Sequence, residues 1–236
     1  NMNIPTEHTT KGESVAIILP CLNEARTIEW CVRRSLETLD LLKERHGLTG
    51  EVIVADNGST DGSQMLASSA GARVVPVTKR GYGNALIGGV LSSNTTYVVM
   101  GDADRSYDFL ESAPMIERLM DGAGLCIGSR FRGEIKPGAM PWKNRYIGNP
   151  ILSALLRGLF RTSISDAHCG LRAFRRDTFD RLDLSSSGME FASEMVLKAV
   201  LRGVRIDETP VTLYPDGRGR PPHLKPWQDG MRHLVY

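Results

Sequence analysis

The chain has 236 residues, 24% charged and 41% hydrophobic, the make-up of an ordinary globular protein and enough for one large domain or two small ones. Formal net charge is only +2, but residues 1–129 carry a net of −5 and residues 130–236 a net of +7, so the halves are expected to meet different partners. No run reaches the ~18 apolar residues of a membrane span, residues 1–12 are too polar for a signal peptide, and Cys21, Cys31, Cys126 and Cys169 lack metal-site spacing and read as reduced cytosolic thiols.

In chain order, Ser14 to Pro20 is a continuous apolar run that predicts a buried strand, followed by a loop at Cys21 to Glu24. Ile28, Val32, Leu36, Leu39 and Leu42 fall near helical spacing and predict a helix from Ala25 to Arg45, stopped by His46-Gly47. Glu51 to Ala55 predicts a second strand, which runs into the polar turn Asp56-Asn57-Gly58-Ser59-Thr60-Asp61-Gly62-Ser63. A second helix is predicted at Ser63–Ala70 with Gly71 at its C-cap, then a strand at Ala72–Val77, a helix at Gly83–Leu91 and a strand at Thr96–Met100. Phe131 to Pro141, with Gly133, Pro137 and Gly138, predicts a mobile loop. Trp142 to Arg161 predicts a basic amphipathic helix, which suits either a core face or an anionic membrane surface. Cys169 to Arg175 reads as a strand, Gly188 to Arg202 as a helix, Val204 to Tyr214 as a late strand, and Pro215 to Pro226 as a Gly-, Pro- and Arg-rich loop.

Four alternations of strand and helix predict an α/β fold with a mainly parallel sheet and helices on both faces. Ligands in such sheets bind at the carboxyl ends of the strands. Pro20 to Glu24, Asp56 to Asp61, Lys79 to Asn84 and Asp102 to Asp108 all fall there, so four polar loops are expected to line one crevice. Asp102 and Asp104 just past a strand suit a hard cation such as Mg²⁺ or Mn²⁺, which takes oxygen ligands. The competing reading is a solvated turn. There is no Gly-x-Gly-x-x-Gly and no Gly-x-x-x-x-Gly-Lys-Ser, which argues against a dinucleotide dehydrogenase and a P-loop ATPase. A basic second half suits phosphates or an anionic membrane; no nucleic-acid module is legible, and nucleic acid is not expected as a partner. No feature specifies an oligomeric state.

The order and spacing of Pro20-Cys21-Leu22-Asn23-Glu24, Asp56-Asn57-Gly58-Ser59-Thr60-Asp61, Arg80-Gly81-Tyr82-Gly83-Asn84-Ala85 and Asp102-Ala103-Asp104 resemble family-two glycosyltransferases of the GT-A (Rossmann-like) fold. Gly128-Ser129-Arg130 and Asp166-Ala167-His168-Cys169-Gly170-Leu171-Arg172 are similar to the dolichyl-phosphate mannose and polyprenyl-phosphate glucose synthase branch. The resemblance covers residues 14–215. It implies one catalytic domain, with a nucleotide-sugar-binding half at 14–129 and an acceptor-side half at 130–236.

By that resemblance Pro20, Leu22, Glu24 and Asp56 hold the nucleotide, Asp56 accepting an N–H of the base; Gly83, Asp102, Ala103 and Asp104 complete the donor site. Asp102 and Asp104 are the implied metal ligands. Relatives often carry a Gln where this chain has Ser106, so Tyr107, Asp108 or water is expected to complete the shell. Pro20 equally suits the end of a strand, and Asp61 a helix cap. Arg130 is the implied acceptor-phosphate group, joined by Lys143 and Arg145, for which the competing reading is solvated surface charge. Asp166 is expected to meet the sugar or Arg172, the alternative being a buried ion pair between them. Glu190 and Glu194 lie one helical turn apart; one is expected at the donor-sugar hydroxyls, the other as a helix charge. Arg218, Arg220 and Lys225 suit closure over the pyrophosphate.

The implied activity is inverting transfer of a hexose from a UDP-glucose- or GDP-mannose-type donor to a polyprenyl phosphate at the cytoplasmic face of a membrane. Alternatives are a soluble transferase acting on a small acceptor such as phosphoglycerate, a subunit that binds nucleotide-sugar without turnover and, disfavoured, a nucleotidyltransferase. Relatives often continue into transmembrane helices. The apolar drift at Leu234-Val235-Tyr236 resembles the approach to such a span, so the chain is expected to be a trimmed catalytic domain.

Overall fold

The computed structural model describes residues 13–140 and 164–217. The expected helix at Trp142 to Arg161, with Lys143 and Arg145, lies outside the described residues, as do Arg218, Arg220, Lys225 and residues 227–236. The order of elements is β1 (Ser14–Cys21), α1 (Ile28–His46), β2 (Thr49–Asp56), α2 (Ser63–Ser69), β3 (Arg73–Pro76), α3 (Tyr82–Leu91), β4 (Tyr97–Met100), a 3-10 turn (Phe109–Ser112), α4 (Ala113–Met120), β5 (Leu125–Ile135), β6 (Arg172–Arg175), α5 (Arg176–Leu182), α6 (Phe191–Leu201) and β7 (Ile206–Leu213).

The strands form one sheet in the order β3-β2-β1-β4-β6-β5-β7. β1 runs parallel to β2 and β4, and β2 parallel to β3. Val15 to Leu19 are wholly buried, because a central parallel strand has both faces covered; hence an unbroken apolar run in place of alternation. β6 is antiparallel to both of its neighbours, β4 and β5, while β7 runs parallel to β5. The sheet is therefore mainly parallel, with β6 as the reversed strand that joins its two halves.

Several boundaries shift for local reasons. α1 starts at Ile28, not Ala25, because the Glu24 carbonyl accepts the N–H groups of Thr27 and Ile28 in a turn that precedes it. Gly47, with φ of 68°, ends the helix in the left-handed conformation, its N–H donating to the Lys43 carbonyl. Pro20 lies within β1, opposite Ala55, rather than ending it. Pairing with β4 has already stopped at Ile18, so the missing proline N–H falls where no ladder needs it on that side. Cys169 to Arg175 is a strand only from Arg172. α4, β5 and α5 have no counterpart in the sequence reading.

The expected loop at Phe131 to Pro141 is corrected more deeply. β5 continues to Ile135, with Glu134 opposite Thr212 and Ile135 opposite Leu213. Its register against β7 shifts between Ser129 and Glu134, just where Ser129 faces Pro210, which has no N–H to donate. Gly133 presses against the Val211 backbone; a Cβ there would lie 2.2 Å from the Val211 oxygen. The glycine that suggested a loop is a close approach between two strands.

All four cysteines are free and buried. Burial pushes the Cys21 and Cys169 thiols up to about 11 and those of Cys31 and Cys126 up to about 12. Since the thiolate is the reactive form, none of the four is expected to react with iodoacetamide at pH 7.5 in the folded chain, and all four in urea. Mass spectrometry of the alkylated protein checks this; rapid labelling of any one in the folded state would contradict the burial.

Candidate active site

The first two loops at the carboxyl edge of the sheet lock together by polar contacts. Asn23, in the left-handed region with φ of 59°, donates its N–H to Ser59 Oγ at 2.9 Å and accepts from the Thr60 N–H at 2.8 Å. The Glu24 N–H donates to Ser63 Oγ at 2.8 Å. Asp61 accepts from the N–H groups of Ala25 and Ser63, so it works at the start of α2 as a cap does. The Asp56 carboxylate is buried at the end of β2 and accepts from the N–H groups of Gly58 and Ser59 and, at 2.6 Å, from the Gln64 amide. Its first task is thus to shape its own loop. Asn57 ties the third loop to this pair: its amide donates to the carbonyls of Val77 and Lys79, and its side-chain oxygen accepts from the Gly81 N–H. Arg80 donates to the Asn57 carbonyl.

The stretch after β4 is pinned from three directions. The Ala103 carbonyl accepts from the Thr27 hydroxyl at 2.6 Å, the Asp104 carbonyl from the Gly217 N–H at 2.8 Å, and the Ser106 carbonyl from the Tyr214 N–H at 2.9 Å. Asp104 is buried, and its carboxylate accepts from the Ser106 N–H at 2.9 Å. Arg105, next in line, has φ of 67°, a strained value for a residue with a side chain. Its guanidinium lies 4.8 Å from the Trp30 ring centre, a cation–π contact that helps to hold the turn. Asp102 accepts from the Tyr82 hydroxyl at 3.0 Å. Burial, reinforced by Asp102, keeps the Tyr82 phenol protonated far above its ordinary range, so it serves as a donor.

Across from Asp102 lies the loop that precedes β6. A Cβ on Gly170 would stand 2.7 Å from an Asp102 oxygen, so a side chain there would push the Asp102 carboxylate aside. The Gly170 N–H donates to the Tyr107 hydroxyl at 3.2 Å. Asp166, fully buried, takes Arg130 in a fork: Nε at 2.6 Å, Nη2 at 2.7 Å, and the Arg130 backbone N–H at 3.0 Å. Burial opposes the Arg130 charge, but nearby Tyr107 and the Asp166 contacts outweigh it and hold the guanidinium protonated above even its ordinary value. Asp166 therefore pairs with Arg130, not with Arg172 as the sequence suggested. Arg172 donates instead to the carbonyls of Cys169, Ala167 and Ala192.

The Gly81-Tyr82-Gly83 start of α3 lies under the segment before α6. The Ser187 carbonyl accepts from the Gly83 N–H at 2.9 Å and the Asn84 N–H at 3.3 Å, and a Cβ on Gly83 would meet the Ser186 oxygen at 2.0 Å. Gly83 thus serves a backbone crossing. Glu194 accepts from the N–H groups of Ser185 and Ser186 and pairs with Lys198 at 2.7 Å. Burial would raise its pKa, but Lys198 and these N–H groups lower it. Glu190, buried as well, accepts from the Gly188 N–H at 3.1 Å.

Two expected completions of a metal shell already have protein partners. The Tyr107 hydroxyl is engaged with Gly170. Asp108 caps the 3-10 turn through the Leu110 N–H and binds Arg34 at 3.1 and 2.6 Å. Among the described residues no group of three or more His, Cys, Asp or Glu side chains could hold an ion. Asp102 and Asp104 remain as two hard oxygen donors on a rigid turn. That set fits Mg²⁺ or Mn²⁺ shared with substrate phosphates, which such ions commonly accept with one or two carboxylates.

Sequence reasoning assigned no role to Tyr82 or Gln64, whose contacts are long-range or cross a turn, though Tyr82 stood inside a motif it used; for Tyr107 it expected a metal contact and did not foresee the bond with Gly170. The sheet and its loops define an α/β class that binds ligands at the carboxyl ends of its strands, and comparison with known proteins specifies it. Residues 16–183 match Glycosyl transferase family 2, and the chain belongs to that family. It is 38% identical over 228 residues to the low-salt glycan biosynthesis hexosyltransferase Agl6 of Haloferax volcanii, covering 94% of this chain and 52% of that protein. The chain thus spans about half the length of that relative. It is 28% identical over 208 residues to the dolichyl-phosphate hexose transferase of the same organism, covering 87% of this chain and 84% of that one. These relatives are of the dolichyl-phosphate sugar synthase-like branch. Among solved structures, glucosyl-3-phosphoglycerate synthase of Mycobacterium tuberculosis with Mn²⁺, UDP-glucose and phosphoglyceric acid superposes with a TM-score of 0.68 at 25% identity, over 89% of this chain and 73% of that one. The fold is GT-A, as the sequence resemblance implied.

The Gly83 crossing generates a direct prediction. Gly83→Ala should destabilise the fold by roughly 1–3 kcal/mol, since the clash is with backbone and cannot be relieved by a rotamer change. Urea denaturation measures it. A midpoint equal to that of the parent chain would mean that the Ser186 carbonyl is not held there.

Proposed function

We propose that this glycosyltransferase moves a hexose from a nucleotide-sugar to a polyprenyl phosphate, with inversion, using Mg²⁺ or Mn²⁺ held at Asp102 and Asp104. The observation that carries the reading is the seam at Gly170 and Tyr107. On one side stands the Asp102–Asp104 turn, and on the other the Arg130–Asp166 pair. A carboxylate pair suited to a cation and a guanidinium suited to an anion thus line one crevice at the carboxyl ends of the strands.

The leaving group is a nucleoside diphosphate, and a bound divalent ion would offset the charge that develops on it. The acceptor is a phosphate monoester, already anionic near pH 7, so an acceptor oxygen can attack the anomeric carbon without a strong general base. What the protein must supply is neutralisation and alignment of two anions. Asp166 takes Nε–H and one Nη2–H of Arg130, which orients a largely buried guanidinium and leaves N–H groups that Asp166 does not use and that are proposed to meet the phosphate. Lys143 and Arg145 are proposed to add to that acceptor site. Pro20, Leu22, Glu24 and Asp56 are proposed for the nucleotide, with the exposed Gln64 amide as the donor on Asp56 that a base N–H would displace. Ala103 and Gly83 shape the donor site through backbone. Of the two glutamates, Glu190 is proposed for the donor sugar, because Glu194 is committed to Lys198 and the Ser185–Ser186 backbone.

The acceptor assignment rests on the dolichyl-phosphate relatives, and with it goes a place at the cytoplasmic face of an anionic membrane. No helix among the described residues is long and apolar enough to cross a membrane. A second reading, a phosphoglycerate-type acceptor, is favoured by the structural likeness to glucosyl-3-phosphoglycerate synthase. A transfer assay with labelled UDP-glucose and GDP-mannose, offering polyprenyl phosphate in detergent against 3-phosphoglycerate, separates the two.

Asp104→Asn should lower transfer at least about 100-fold, the scale of losing a charge-stabilising contact in the transition state, while circular dichroism and melting stay those of the parent. Full activity of that variant in chelator would refute the metal assignment. Labelled lipid product is the expected outcome of the acceptor competition; transfer to 3-phosphoglycerate alone would replace the lipid reading by the second.

A further inference from the structure

We propose that Glu208 is a positioning residue for the acceptor side of the reaction, acting through the Ser165–Asp166 backbone to set the Arg130 guanidinium. The proposal rests on reading Arg130 as the acceptor-phosphate group. Glu208 lies on β7 opposite Ile127 of β5, and its side chain is only 4% exposed. One of its oxygens accepts two successive main-chain N–H groups, that of Ser165 at 2.7 Å and that of Asp166 at 3.0 Å. The Ser165 hydroxyl lies 3.1 and 3.0 Å from its two oxygens. The same hydroxyl lies 2.6 Å from that of Ser129, the residue before Arg130.

The chain of contacts runs in one direction. Glu208 fixes the peptide planes at 165–166, and Asp166 then places both its oxygens on Arg130, one of them on the backbone N–H as well. Arg130 stands where the β5–β7 ladder loses register, between Ser129 opposite Pro210 and Glu134 opposite Thr212. The ladder therefore does not hold Arg130 in place, and the side-chain route from Glu208 does. Among the described residues Arg132 is the cation paired with Glu208, at 3.6 Å and with a side chain 59% exposed, so it screens the carboxylate only weakly. Without Glu208 the partly buried N–H groups of Ser165 and Asp166 lose their acceptor, and a loop that leaves them unsatisfied must move.

The test compares Glu208→Ala, Glu208→Gln, Asp166→Asn, Arg130→Lys and the double variant Glu208→Ala/Asp166→Asn in the full chain. Donor affinity is measured by calorimetry with UDP-glucose or GDP-mannose and Mn²⁺, and steady-state kinetics use a short-chain polyprenyl phosphate in micelles. Loss of an outer-shell partner typically costs 10–100-fold, so Glu208→Ala should raise the acceptor KM by about tenfold or more, with donor affinity within about twofold of the parent. Glu208→Gln keeps an oxygen for the two N–H groups and should restore most of the loss. The double variant should be no worse than Asp166→Asn alone, because the two act in series. Parallel losses on donor and acceptor, additive losses in the double variant, or a Gln variant as poor as Ala would each overturn the proposal. If Glu208→Ala does not fold, Glu208→Asp, one methylene shorter, takes its place in the same comparison. An unchanged acceptor KM in Arg130→Lys would overturn the acceptor reading and this proposal with it; a raised KM there with none in Glu208→Ala overturns this proposal alone.

Discussion

The buried guanidinium of Arg172 is the constraint on which the two halves of this sheet depend. Among the described residues it is the largest side chain that is buried completely. It stands at the start of the reversed strand β6, with Met100 of β4 on one side and Ile127 of β5 on the other. A cation in that place is tolerable only if its N–H groups are satisfied. Three carbonyls do so: Ala167 and Cys169 from the loop before β6, and Ala192 from the first turn of α6. Burial pulls its pKa down from the ordinary guanidinium value, as expected when its hydrogen-bond partners are neutral. The same three bonds shape the loop that carries Asp166 and Gly170, so the core of the sheet and the crevice are set by one side chain.

The crevice divides its labour by charge. The Asp102–Asp104 turn is bound through main-chain carbonyls to α1, by way of Thr27, and to the segment after β7, by way of Tyr214 and Gly217. Its carboxylates are thereby presented on a stiff support, at the cost of a left-handed Arg105 steadied on Trp30. The opposite wall gains its rigidity from side chains: Arg130, Asp166 and Glu208 form a relay that crosses from β5 to the loop before β6 and on to β7. Gly170 and Tyr107 close the gap between the walls. The proposed reaction brings two anionic reactants together, and an acidic wall suited to a divalent cation facing a cationic one is a direct electrostatic solution to it.

The parallel half was legible because its physics is local. A strand covered on both faces must be apolar throughout, so Ser14 to Pro20 and Thr96 to Met100 announce themselves, and polar loops after them mark the carboxyl edge. Gly47 ends α1 as expected, for only a residue without a side chain adopts that turn freely. The second half was less legible. Gly133 reads as a loop signal, but its small size serves contact with Val211, a neighbour 78 residues later that composition alone does not reveal. Asp166 illustrates the same limit: proximity in sequence suggested Arg172, whereas the partner is 36 residues upstream.

The sequence by itself determined the α/β class, the four polar loops, the acidic turn after β4 and the family to which they belong, because each of these is written in residues close together along the chain. Only the tertiary structure decided which charges pair. Arg130 joins Asp166 because the reversed β6 brings the loop before it alongside β5. Glu194 turns to Lys198 and the Ser185–Ser186 backbone, which leaves Glu190 as the glutamate distinct from that network. Ion pairs and close glycine contacts depend on separations of a few ångströms between elements far apart in sequence, and those separations exist only once the strands have taken their order.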